Sequence, residues 1–279
     1  MRVLHRARTP VRLGDGAFVA GRLTEPAMRR AAQALRRYAA TMRRIGVNRV
    51  EAVATSAVRD ATNGRAFVQR IRTQLGVPLR IISGRTEARL IYRGVVQAQR
   101  ARRSTLVISI GGGSAQVMLG DGARLRYATS VPLGCARLAQ RFIQHDPPRP
   151  EEVAALEHAA RRAWAPVIRR IRRHRWQQVL GSSETIQQVL AAAKHLSRGS
   201  QAKAHVSITQ RSLRRIIGRL STSTAAQRRR MPGLDRQRQD LALPTAVALM
   251  ILMECCGISA IRYAPGSLRE GIILDKFLV

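Results

Sequence analysis

From Thr24 to Gly46 the chain reads TEPAMRRAAQALRRYAATMRRIG, with apolar residues returning every three or four positions. That spacing predicts a helix with one apolar stripe, capped at Thr24 and stopped at Gly46. NRVEAVATSAVRD (48–60) reads as a strand and then a loop, NGRAFVQRIRTQLG (63–76) as a helix, and PLRIISG (78–84) as another strand. Residues 85–100 form a helix with RLIYRGVVQA as its stripe. TLVISI (105–110), SAQVMLGDG (114–122) and ARLRYATSVPL (123–133) read as three strands. Alternation in the last two, with DG between them, predicts a meander. Past Gly134 the pattern turns helical through CARLAQRFIQ and EEVAALEHAARRAWAPVIRRI. WQQVLGSS (176–183) is a short strand ending in a small-residue turn, with a helix beyond it. DLALPTAVALMILMECCG (240–257) is apolar enough to be a central helix, and IRYAPGSLREGIILDKF (261–277) closes as strand, turn and helix. Strands alternate with helices in both halves, which is the α/β class. The polar stretch QAQRARRS (97–104) sets the expected boundary, giving domains 1–100 and 101–279.

At 279 residues, 45% of them hydrophobic, the chain can bury a real core and two modest domains. Aromatics at 4% argue against a base-stacking nucleic-acid surface. The net charge is +34, and of 50 basic residues all but Lys194, Lys203 and Lys276 are arginine. Arginine grips phosphate oxygens bidentately, so a polyanionic partner is one reading. The other is a compositional bias, with solvated faces such as RRAWAPVIRRIRRHR (161–175) carrying the excess. Charge alone does not separate nucleic acid from polyphosphate or a membrane surface. Cys135, Cys255 and Cys256 have no metal or CxxC spacing, which suits buried thiols in a reducing cytoplasm. The histidines, His5, His145, His158, His174, His195 and His205, show no ligand spacing, so no protein-held metal cluster is expected. No uninterrupted apolar run of 18 residues and no signal-peptide core appear, so the expectation is a soluble cytoplasmic protein without a membrane partner.

The stretch LVISIGGGSAQ (106–116) changes the picture. Gly111, Gly112 and Gly113 lack Cβ atoms, so their N–H groups can converge on an anion, and Ser114 adds a hydroxyl. The alternative is a tight hairpin turn. Three other segments put small or charged residues where α/β proteins place ligand loops. ATSAVRDATN (54–63) carries Arg59, SGRTEARLIY (83–92) carries Glu87, and GSSETI (181–186) brings Ser182 and Ser183 to a helix N-terminus that suits an anion. Taken singly, Glu87 would read as a solvated first-turn residue and Gln116 as a strand residue facing solvent.

The order ATSAVRDATN, SGRTEARLIY, LVISIGGGSAQ, PLGCARL, GSSETI, LPTAVALMILMECCGI and LREGIILD resembles the exopolyphosphatase/guanosine pentaphosphate phosphatase (Ppx/GppA) family, from about Val11 to Asp275. The resemblance implies two ribonuclease-H-like domains of the actin-like ATPase superfamily, with the ligand in the cleft between them. It also implies removal of terminal phosphates from polyphosphate or pppGpp, usually with Mg²⁺, by a short form without extra C-terminal helical domains. Carried over by residue, Glu87 matches the base for the attacking water and Arg59 the substrate-phosphate arginine. Gly111, Gly112, Gly113 and Ser114 match the second phosphate loop, and Arg269 and Glu270 a structural LREG. The departures are Ser109 for the aspartate of DIGGGST, Gln116 for its glutamate, and Glu184 for a glycine of GSGT. MRVLHRARTP has no counterpart of the family's DIGSNS-type opening strand, so the first domain is expected to lack its opening strands. A misassigned start codon would restore that strand but not the two acids.

Phosphoanhydride hydrolysis needs charge neutralisation and an oriented water. Ser109 is a neutral oxygen, a much weaker Mg²⁺ ligand than a carboxylate. Gln116 can orient a water but cannot take its proton. Glu87 alone, as a general base, is worth roughly 10²- to 10⁴-fold. The expectation is a Ppx/GppA-type protein that binds polyphosphate or pppGpp, holds Mg²⁺ weakly, and hydrolyses slowly or not at all; a homodimer is one option that the sequence leaves open. The alternative is a non-enzymatic polyanion binder, for polyphosphate or nucleic acid. A sugar-kinase or ATPase relative is a third option, without a visible adenine-site signature.

Overall fold

The computed structural model describes residues 3–196 and 207–277; Lys203 and His205 lie outside them. The chain forms two compact units, Met1–Ser83 and Gly84–Val279.

The first unit runs through α1 (Ala17–Ala20), α2 (Glu25–Arg44), β1 (Ala52–Ala54), α3 (Ser56–Arg59), α4 (Gly64–Leu75) and β2 (Leu79–Ile81). β1 and β2 pair in parallel, with Ala52 opposite Leu79 and Ala54 opposite Ile81. The strand expected over 48–60 shortens to three residues because Ser56–Arg59 wind into a helical turn. The Ser56 hydroxyl closes that turn by donating to the Asp60 carboxylate at 2.9 Å, a local bond that competes with strand pairing. Met28 and Ala31 of α2 pack with Phe67, Val68 and Ile71 of α4 and Leu79 of β2.

The second unit begins with α5 (Gly84–Gln99) and continues as β3 (Ser104–Ile110), β4 (Ala115–Asp121), β5 (Arg124–Val131), α6 (Cys135–Phe142), α7 (Pro150–Ile171), β6 (Gln178–Ser182) and α8 (Glu184–Leu196). Then come β7 (Ser207–Thr209), α9 (Gln210–Ser221), α10 (Ala225–Arg229), α11 (Ala242–Cys256), β8 (Ala260–Tyr263) and α12 (Leu268–Lys276). The sheet order is β5-β4-β3-β6-β8-β7. β3 to β5 form the expected antiparallel meander, β6 pairs parallel to β3, and β8 pairs parallel to β6. With β7 as an added antiparallel edge, this is the order and sense of a ribonuclease-H-like domain.

Each face of the sheet is covered. Leu106, Ile108, Val117 and Leu119 pack beneath α6, α7, α8, α9 and α11. On the other face, Ala88, Ile91, Tyr92 and Val95 of α5 cover Val107, Met118 and Leu180. α12 lies against α5 so closely that a Cβ on Gly271 would collide with the Leu90 carbonyl. This packing assigns α5 to the second unit and puts the division at Ser83/Gly84, ahead of the 97–104 stretch read from composition. Gln239–Cys256 has the length and hydropathy to cross a membrane, yet 78% of it is buried, with the Trp164 indole donating to the Ala248 carbonyl at 2.9 Å. The pattern reading assigned nothing to β7, α9 and α10. α9 had a visible signal, an amphipathic LRRIIGRL opened by Thr209, whose hydroxyl accepts from Ser212 N–H at 3.3 Å.

Candidate phosphate-binding site

At the end of β3 a polar row crosses the sheet. Ser109 lies opposite Gln116 on β4 and Ser182 on β6, and Gln116 lies opposite Ser130 on β5. Side chains in register share a face. Two positions back are Val107, Met118 and Leu180, so the row sits on the α5 face. The Tyr92 hydroxyl donates to the Gly122 carbonyl at 2.9 Å, beyond the far end of β4, so the earlier turns of α5 lead back toward the row. Glu87 stands in the first of those turns. Glu87 is 7% exposed and Gln116 1%, so neither is the solvated side chain that each would be in isolation. The Gln116 carboxamide donates to the Ser114 hydroxyl at 2.7 Å and the Ser130 hydroxyl at 3.2 Å.

The glycine loop is held from behind by the N-terminus of α6. The Gly111 carbonyl accepts from the Cys135 N–H at 2.9 Å and its thiol at 3.3 Å. The Gly112 carbonyl accepts from Ala136 N–H at 2.9 Å and Arg137 N–H at 3.0 Å, and the Gly113 carbonyl from Arg137 Nε at 2.8 Å. These are the N–H groups a helix leaves unpaired in its first turn. A trans peptide points its N–H opposite to its C=O, so docking three carbonyls on α6 turns the N–H groups of Gly112, Gly113 and Ser114 away from it. Among the described residues no backbone or side-chain oxygen accepts from those three. Burial pushes the Cys135 thiol up to about 11.

The second turn is braced as well. The Thr185 hydroxyl donates to the Ile110 carbonyl at 2.6 Å, tying the start of α8 to the end of β3. The Ser182 hydroxyl donates to the Gly266 carbonyl at 2.7 Å, and the Ser183 hydroxyl lies 3.2 Å from that of Thr185. Ser183 has φ 126°, a conformation that favours glycine. Glu184, which the sequence marks as a negative charge at this turn, meets Arg238 Nη1 at 2.6 Å. Arg59 belongs to the first unit, where its Nη1 donates to the Ile82 carbonyl at 3.0 Å and its Nε lies 3.6 Å from Asp60.

The family pattern implies Mg²⁺, and the donor set tests that. The row offers the hydroxyls of Ser109, Ser130 and Ser182 and a carboxamide, all neutral, with Glu87 as the acid on the neighbouring helix. Among the described residues no three His, Cys, Asp or Glu side chains gather. Mg²⁺ is held by hard, charged oxygens in near-octahedral array. These residues do not fit a resident Mg²⁺.

A profile of the Ppx/GppA phosphatase family matches residues 1–279. The chain belongs to that family. It is similar to an exopolyphosphatase from Cytophaga hutchinsonii, at 27% identity and a TM-score of 0.83 over 94% of this chain and 86% of that one. It is also similar to a Ppx/GppA family member from Aquifex aeolicus, at 24% identity and a TM-score of 0.76 over 96% and 87% of the two chains. An exopolyphosphatase-like protein matches at 23% identity and a TM-score of 0.88 over 99% and 92%. The last two likenesses bear on fold alone. In this Ppx/GppA family member the PLGCARL segment, matched as sequence without a role, supplies the parts that orient the glycine loop: Gly134, Cys135 and Arg137. Ser130 is visible only through strand register.

Proposed function

We propose that this Ppx/GppA phosphatase binds terminal phosphates of linear polyphosphate, or of pppGpp, on the Gly111–Ser114 loop, and that it turns them over slowly. What carries the reading is the loop itself: three successive peptides with carbonyls bound to the α6 N-terminus and N–H groups turned the other way. Such N–H groups, two of them on the buried residues Gly113 and Ser114, form an anion nest. The positive end of α6 and the Arg137 guanidinium polarise the same peptides, which strengthens their N–H donors.

Glu87 is the base in this scheme. The attacking water gives its proton to the Glu87 carboxylate as its oxygen bonds the terminal phosphorus, and the phosphoanhydride oxygen leaves with the shortened chain. Gln116 orients the Ser114 hydroxyl and takes no proton. The neutral row leaves developing charge to N–H and guanidinium groups, which favours tight binding over fast cleavage. The same neutral row favours a second reading, a polyanion binder without turnover.

Phosphate release from long-chain polyphosphate and from pppGpp, with and without Mg²⁺, tests the reading when run beside binding. Salt-sensitive binding with slow release is expected. Glu87→Gln should lower the release rate by about 10²-fold or more without weakening binding. Release unchanged in that variant would remove Glu87 from the mechanism, while binding with no release at all would leave the binder.

A further inference from the structure

A groove of about 630 Å³ lies on the first unit between α2 and α4. Its lining includes Arg29, Arg30, Gln33 and Arg36 from α2 and Arg70 and Gln74 from α4, with no acidic residue. The concavity has a local cause. α2 presents alanines inward, with Ala27, Ala31 and Ala34 buried, so its backbone sits low while the long arginines rise beside it. Arg29, Gln33 and Arg36 recur at helical spacing on one flank, and Arg70 and Gln74 stand one turn apart on the other.

We propose that this groove binds a linear inorganic polyphosphate chain at a second place on the protein. The proposal shares its ligand class with the loop reading above and none of its residues. Three observations carry it. Among the described residues no acid forms an ion pair with Arg29 or Arg36, while Arg30 and Arg70 have only longer pairs, to Asp15 at 3.9 Å and Glu25 at 3.7 Å. Arg29 and Arg36 are about 10 Å apart along the helix axis, a separation comparable to the Debye length, so their like charges repel, most strongly at low salt. A polyanion in the groove relieves that repulsion.

The second observation is shape. Arginine bias by itself decorates solvated faces, as with exposed Arg162, Arg169 and Arg173 near the end of α7, whereas here guanidinium forks and amide donors line a trough. Between Pro26 and Arg36 the trough follows α2 for about 15 Å, the length of a chain rather than of one phosphate. The third is what the lining lacks. No aromatic ring stands in it to stack a base, which sets a bare phosphate chain above a single-stranded nucleic acid.

The test is fluorescence-anisotropy titration of the full chain with end-labelled polyphosphate a few tens of phosphates long. Wild type is compared with Arg29→Gln/Arg36→Gln/Arg70→Gln and with Arg162→Gln/Arg169→Gln/Arg173→Gln, which removes equal charge elsewhere. The groove triple should weaken binding at least tenfold and lower the slope of log K against log salt by about three. The control triple should change affinity less than threefold. Arg29→Gln/Arg36→Gln, which spares the Arg70–Glu25 pair, should give most of the loss if the triple folds poorly. Equal losses in groove and control variants would overturn the proposal, as would a single-stranded oligonucleotide that binds as tightly with the same sensitivity. Gly134→Ala is run alongside. Its failure to weaken binding counts against the loop reading, and failure of the groove variants counts against the groove alone.

Discussion

At the scale of single residues, Gly134 shows how the anion site is built. Its φ of −82° is open to any residue, so backbone freedom does not require glycine there. What requires it is approach: a Cβ would strike the backbone carbons of Gly112 and Gly113. Gly134→Ala should therefore push the loop off α6 and weaken tripolyphosphate binding at least tenfold, measured by calorimetry, with a lower melting temperature. Ser109 and Gln116 lead to a second prediction. They face each other across two strands, where Cβ atoms lie about 5 Å apart. Ser109→Asp/Gln116→Glu should be destabilised in metal-free buffer by paired negative charges and regain stability with Mg²⁺. In Mg²⁺ it should release phosphate faster than wild type. No gain in either measurement would mean that these positions are not what limits turnover. The sequence makes both substitutions visible, because they fall inside a recognisable glycine-loop pattern. It cannot show that Gln116 is buried, since that depends on α5 returning over the sheet from earlier in the chain.

Between elements, α5 and α12 pack backbone against backbone. Gly94 and Gly271 allow backbone to touch backbone, a Cβ on either colliding with the other helix or the residue leading into it. Gly271→Ala should cost about 3 kcal/mol by overpacking, read from denaturant unfolding. The helices are also joined by charge, Asp275 receiving Arg89 at 2.8 Å and Arg93 at 2.5 Å. Burial alone would raise the Asp275 carboxyl; the Arg89 hydrogen bond and the charges of Arg89, Arg93 and Lys276 outweigh it and hold it below 3.8. At the start of α7, burial likewise opposes ionisation of Glu152. Bonds from His145 and from the N–H groups of Arg149 and Gln144 override it and bring the carboxyl from 4.5 to about 2. A depressed carboxylate stabilises the fold fully above its unfolded value and loses that contribution as pH falls. The stability curve should decline between about pH 4.5 and 2, and Glu152→Gln should flatten part of that decline. Elements with a clean period, such as α2, α5 and the meander, were legible in the sequence. β7 and α10 were not assigned, because pieces of three and five residues give no run long enough to stand out from loop; α9 was missed although its amphipathic LRRIIGRL was there to be read.

For the molecule as a whole, the charge of +34 has to be accommodated somewhere. Ion pairs with the few acids absorb little of it, so self-repulsion is the standing cost. Sulfate or polyphosphate should raise the melting temperature more than sodium chloride at equal ionic strength, and the groove triple should lose part of the polyphosphate effect. The β3–β5 meander of the second unit could be read from alternation and the DG turn, but the parallel placement of β6 and β8 beside it could not. The place where the chain divides could not, since QAQRARRS looks like a linker and only the packing of α5 moves the division to Ser83/Gly84. One sulfur lets this arrangement be timed. The Cys135 thiol is fully enclosed and bonded to the Gly111 carbonyl, so an alkylating reagent reaches it only when the loop lets go of α6. Its labelling rate counts those openings, and any anion that settles on the loop should slow the count.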